Sequence, residues 1–146
     1  MSTYAIKNGE LLLEDQVKTS YFGRAVKYGD GFFETIFLFK GKPLYWHLHA
    51  QRLLKTAKLL QFNFPKEWNE SYFLEMILKL SQANKITTGR VSIVFSRDVE
   101  GYYLPTGNGF HYLIQLTKID EENNPYQLNE EGLVLGEYRE LVKTSN

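Results

Sequence analysis

Apolar and polar positions alternate at strand spacing near both ends of the chain and switch to helical spacing in its middle. Residues 4–6 and 11–13 read as two short strands, joined through Asn8-Gly9, the dipeptide best suited to a tight turn with positive φ. After a polar stretch to Gly23, Gly29-Asp30-Gly31 interrupts the chain just ahead of residues 32–39. There Phe, Ile, Leu and Thr surround Glu34 in what reads as a mostly buried strand. Gly41, between two lysines, turns that strand back into a further one over 43–46. From His47 the period lengthens. Leu53, Ala57 and Leu60 stand at i, i+4 and i+7, which predicts a helix over 47–60. A second helix is expected over 67–83, with Pro65 near its first turn and Phe73, Met76, Ile77 and Leu80 forming one stripe.

Residues 90–95, 110–116 and 132–135 are rich in β-branched and aromatic side chains at strand lengths. The segment 98–109 holds three glycines and a proline and is expected to be a loop, and the acidic, Asn-rich 119–131 an exposed connection. Strands, two helices and strands again predict an α+β domain, its helices packed on one face of a largely antiparallel sheet. The other face needs a cover, whether solvent, a partner chain or a further domain.

Composition narrows the classes. Of 146 residues, 43% are hydrophobic, enough for one core and one domain. Lys plus Arg and Asp plus Glu each number 17, so no charge excess steers the chain toward nucleic acid or a membrane surface. Cysteine is absent, which removes disulfides, thiolate metal sites and a cysteine nucleophile. The opening Met-Ser-Thr-Tyr has no charged-then-apolar signal pattern, and no apolar run approaches a membrane span, so a cytoplasmic protein is expected.

Among residues able to do chemistry, Arg52 falls one turn into the first expected helix, where a guanidinium could meet a phosphate or carboxylate. Taken as a lone helical arginine, it reads first as a solvated surface residue. His47 and His49 stand at i and i+2, on different helix faces, so a metal site from that pair is not expected. His111 lies in an expected strand. Glu34, in an apolar strand, must find a partner or a wet cavity. No phosphate-binding G-x-x-x-x-G-K-[ST] loop, G-x-G-x-x-G fingerprint or G-x-S-x-G elbow is present.

The blocks Y-G-D-G-F-F-E-T-I (28–36) and G-K-P-L-Y-W-H-L-H-A-Q-R-L-L-K-T-A-K-L-L (41–60) resemble the signature of class IV (fold type IV) pyridoxal-phosphate enzymes. These are the branched-chain and D-amino acid aminotransferases and the 4-amino-4-deoxychorismate lyases. The opening hairpin suits that family, and Ser96-Arg97-Asp98 with Gly101-Tyr102 is similar to its later S/T-R-G…G-Y segment, so the likeness spans nearly the whole chain. The resemblance implies that Arg52 binds the phosphate of pyridoxal 5'-phosphate and that Tyr28 and Phe33 border the substrate pocket, in some members that of the neighbouring subunit. It also implies a structural role for Glu34, a small-molecule amino substrate, and a homodimer built through this domain.

Two positions depart from the family pattern. Asp98 stands where the family usually has glycine. Ser92 stands where branched-chain enzymes carry an arginine, so a branched-chain substrate is not expected. The resemblance also implies a second, C-terminal cofactor domain, so residues 1–146 are expected to be the N-terminal α+β domain of a longer enzyme, inactive alone. Lys143-Thr144-Ser145-Asn146 is similar to the K-[TS]-x-N around the family's cofactor-bonding lysine. In the family a longer connection precedes that lysine, so it is expected past Asn146, with Lys143 the candidate inside the chain. The activity expected is transamination of a small amino acid or the related lyase reaction. The alternative is a non-catalytic dimerisation or ligand-binding domain derived from the family.

Overall fold

In the computed structural model, the described residues are 3–18, 23–99 and 101–119, with Gly132, Val134 and Gly136 beyond them. They form an antiparallel six-stranded sheet with its helices, in the α+β arrangement expected. The strands are β1 (Tyr4–Lys7), β2 (Glu10–Leu13), β3 (Gly31–Phe39), β4 (Lys42–Pro43), β5 (Gly89–Arg97) and β6 (Phe110–Lys118), in spatial order β2-β1-β6-β5-β3-β4. The helices are a short α1 (Arg24–Tyr28), then α2 (Trp46–Leu59) and α3 (Glu70–Asn84).

The β1–β2 turn takes the conformation that Asn-Gly favours, with φ of 51° at Asn8 and 89° at Gly9. Asn8 then pins this turn to β6, donating its N–H to the Tyr112 carbonyl and accepting the Tyr112 N–H on its side chain. Alternation along β3 sends Ile36 and Leu38 inward, and Val91, Ile93 and Phe95 of β5 join them with Ile114 of β6. Against that face α3 lays Phe73, Met76, Ile77 and Leu80, the stripe read from the sequence. Edge-on and stacked rings fill one end of the core. Phe95 stacks on Phe32 at 4.6 Å and on Phe64 at 5.0 Å, and Tyr112 meets Trp68 edge-on at 4.8 Å.

Several expectations need correction. The strand expected over 43–46 is only Lys42–Pro43. Tyr45 turns the chain with φ of 52°, and Trp46 already opens α2 and is buried. Leu60, counted in the α2 stripe, caps the helix and stands 42% exposed, while Trp46 and Ala50 take up the burial instead. Pro65 lies in a turn before α3. The cap that starts the helix is Asn69, whose side chain accepts the Tyr72 N–H at 3.1 Å. The short α1, with sequence R-A-V-K-Y, follows the polar stretch to Gly23 and is too short to show a helical period. The strand expected over 132–135 lies outside the described residues except for Gly132 and Val134, neither of which is in a strand, and the connection 119–131 lies outside them beyond Ile119.

β4 pairs with β3 only at Leu38 and Phe39, so from Gly31 to Ile36 the outer side of β3 is an edge among the described residues. Candidate chemistry gathers along that edge.

Candidate functional site

Glu34 points from the β3 edge toward the helices and is 3% exposed. A carboxylate so buried requires donors, and α2 supplies them. Arg52 donates Nε–H to Oε1 and Nη2–H to Oε2, each at 2.6 Å, a side-on pair that fixes the guanidinium plane. His49, one turn earlier on the same face, has Nδ1 2.9 Å from Oε2. Burial works against ionisation of Glu34, but the bonds from Arg52 and His49 outweigh it and hold the carboxyl below its ordinary range. Glu34 in turn raises the pKa of Arg52.

The Arg52 side chain is 64% exposed, and among the described residues its Nη1 has no hydrogen-bond partner. A buried acid thus holds two nitrogens of a guanidinium whose side chain is mostly exposed, an arrangement able to receive an anion. His47 points elsewhere, toward Glu70 and Gln51 at the surface, as the i, i+2 spacing requires. Among the described residues no group of three His, Cys, Asp or Glu could hold a metal ion.

A second charged cluster stands at the start of β3. The Asp30 carboxylate accepts Arg24 Nε–H at 2.7 Å and Arg97 Nε–H at 3.1 Å, and both arginines are 6% exposed. Their bonds outweigh the opposing effect of burial and hold the Asp30 carboxyl below its ordinary value. Arg97 also donates to the Leu60 carbonyl at 2.6 Å and covers the Phe62 ring. The flanking glycines have separate reasons to be glycine. Gly29 ends α1 with φ of 63°, and a Cβ on Gly31 would run into the Phe95 carbonyl of β5.

Of the residues singled out in the sequence, the structure joins Arg52 to Glu34 directly. Tyr28, 43% exposed, lies under the Arg24 guanidinium at 5.0 Å. Phe33, 69% exposed, projects from the sheet face opposite Glu34, as its neighbour in a strand must. Arg52 and Phe33 therefore flank the β3 edge from its two sides without touching. Lys143 lies outside the described residues. The sequence reading missed Arg24 altogether and gave Arg97 no role. The available signal was Asp30 itself, an acid at the mouth of a buried strand that needs cationic partners.

The profile of amino-transferase class IV matches residues 31–136. The chain belongs to that family. An aminodeoxychorismate lyase from Bacillus subtilis is 32% identical over 132 residues, covering 88% of this chain and 44% of that protein. A D-alanine aminotransferase from Staphylococcus aureus is 28% identical over 128 residues, covering 86% of this chain and again 44% of the relative. This class IV chain therefore spans less than half the length of these curated relatives. Its fold superposes on a branched-chain amino acid aminotransferase from Escherichia coli with a TM-score of 0.72 at 22% identity, over 82% of this chain and 42% of that one. That likeness shows the fold of the family's N-terminal domain.

Proposed function

We propose that this chain is the N-terminal part of a pyridoxal-phosphate-dependent enzyme acting on a small amino substrate, as an aminotransferase or as an aminodeoxychorismate lyase. The observation that carries the proposal is the Arg52 guanidinium, held by the buried Glu34 carboxylate while its side chain stays 64% exposed. The residues present fit a cofactor phosphate: a fixed, exposed cation meets a dianion at low entropic cost because its rotamer is already set. The names of the relatives, D-alanine aminotransferase and aminodeoxychorismate lyase, support both halves of the reaction assignment.

When bound, pyridoxal phosphate supplies the electron-withdrawing ring against which a bond at the substrate's α-carbon is broken. This chain's part is to bind and to orient. Arg52 would donate to the phosphate, and Glu34 and His49 hold the guanidinium in one orientation at the surface. Tyr28, just before β3, and Phe33, near its head, form the apolar border that limits water at the substrate side. The remaining phosphate donors and the ring's other contacts come from the second domain of the complete enzyme. In that scheme the chain alone is inactive, the cofactor-bonding lysine lies past Asn146, and the protein works as a cytoplasmic homodimer.

No helix among the described residues is long and apolar enough to cross a membrane. The formal charge of zero gives no support to a nucleic-acid partner.

The test is a titration of uniformly ¹⁵N-arginine-labelled protein with pyridoxal phosphate and, separately, with pyridoxal. The Arg52 side-chain resonances are expected to shift with the phosphate form alone. Equal shifts with both, or none, would overturn the phosphate assignment. Borohydride reduction of the pyridoxal-phosphate sample followed by peptide mapping bears on the lysine: a pyridoxyl group on Lys143 would overturn the expectation that the cofactor-bonding lysine lies beyond this chain.

A further inference from the structure

Arg24 makes contacts that the cofactor reading does not use. It is 6% exposed, and its Nε is held by Asp30. Its remaining nitrogens reach the segment that follows β5, where Nη1 donates to the carbonyls of Gly101 and Tyr102 at 2.7 Å each and Nη2 to that of Tyr103 at 3.4 Å. One guanidinium therefore grips three consecutive carbonyls. The large side chains of this segment point away from it: Tyr102 is 83%, Tyr103 92% and Leu104 83% exposed. A surface loop carrying three large apolar side chains would ordinarily collapse onto the sheet or fray. Here its backbone is fastened to a buried ion pair while its side chains stay presented to solvent.

The same guanidinium lies over the Tyr28 ring, and the Tyr103 ring sits 6.5 Å from that of Tyr28. Asp30 in turn is tied through Arg97 to Leu60, at the end of the helix that bears Arg52. Five segments thus share one buried charge cluster: α1, the head of β3, the end of β5, the loop after it and the end of α2.

We infer that Arg24 is a positioning residue, fastening the Tyr102–Leu104 tip beside Tyr28 so that one preformed aromatic wall stands on the substrate side of the site. The functional meaning of that wall rests on the proposed role of Tyr28; the clamp itself rests on the geometry alone. A wall of tyrosines and a leucine suits the apolar body of an amino substrate whose polar groups are bound elsewhere. Only arginine serves here, because a lysine could pair with Asp30 but has a single nitrogen and could not span three carbonyls.

Backbone ¹⁵N relaxation on the chain as it stands tests the clamp. Tyr102 and Tyr103 are expected to be ordered in the unchanged protein, with order parameters of about 0.8, and to fall below about 0.6 in both R24K and R24Q. Val91–Phe95 of β5 should keep their values, a separation that a general loss of stability would not produce. Contacts between the Tyr28 and Tyr103 rings should disappear in the same variants. Should R24Q fail to fold, R24K decides, since it keeps the charge beside Asp30. A tip already below about 0.6 in the unchanged protein, or still ordered in R24K, overturns the inference. Failure of the pyridoxal-phosphate titration would remove the cofactor reading and leave this outcome unaffected.

Discussion

The Glu34 carboxylate and the Arg52 guanidinium share two parallel 2.6 Å hydrogen bonds but occupy opposite environments, the acid 3% and the arginine 64% exposed. The asymmetry predicts unequal costs for breaking the pair. Removing the arginine leaves a buried carboxylate short of donors, worth about 1–3 kcal/mol. Removing the acid leaves a guanidinium already in water. R52Q should therefore lower stability more than E34Q, and the double variant E34Q/R52Q should be more stable than R52Q alone. Urea denaturation of the three variants at pH 7 checks this ordering.

Acid sensitivity follows from the same residues. Glu34 and Asp30 both have their pKa values lowered in the folded protein, against burial, by Arg52 and His49 and by Arg24 and Arg97 respectively. A lowered folded value means that the ionised groups contribute stability fully above their ordinary values of about 4, and that this contribution is lost as pH falls through the lowered ones. The denaturation midpoint should hold from pH 7 to about 5 and then drop. E34Q should show a shallower drop over the same interval.

The two glycines around Asp30 should fail in different ways. A Cβ on Gly29 would meet open space, but the backbone there is left-handed, so G29A should cost about 1–2 kcal/mol. At Gly31 the obstacle is the Phe95 carbonyl of the adjacent strand, and separating β3 from β5 there also disturbs the Phe32–Phe95 stack. G31A should cost more than about 3 kcal/mol, since neither backbone can move without breaking the pairing. Thermal unfolding of both variants measures the difference.

Apolar side chains left uncovered predict self-association. Phe33 is 69% and Phe39 41% exposed on the sheet face away from the helices, and the tip at Tyr102–Leu104 adds to them. Light scattering should show an average mass that rises with concentration, reduced in F33D. A strictly monomeric profile at high concentration contradicts the homodimer proposal.

Much of this was legible in the sequence because local rules and global packing agree. Asn8-Gly9 fixed the first hairpin, and the Phe73–Leu80 stripe marked the buried side of α3. Tyr45 and Trp46 read as strand because of their aromatic character, which is overridden by a left-handed turn that starts α2 one residue before His47. The site was half legible. Glu34 advertised a missing partner by its apolar surroundings, and the family likeness pointed to Arg52, but nothing in the spacing tied the two together. Arg24 stayed hidden because its partners are backbone carbonyls of a distant loop, and a carbonyl leaves no trace in the identity of its residue.

The phosphate contact of Arg52 is tested most directly by the ratio of affinities for pyridoxal phosphate and pyridoxal, measured on the unchanged chain and on R52Q. A charge-assisted contact of about 1.5–3 kcal/mol corresponds to a ratio of at least about tenfold in the unchanged chain, collapsing toward unity in R52Q. A ratio near one in the unchanged chain, or an equal ratio in both proteins, would contradict the account.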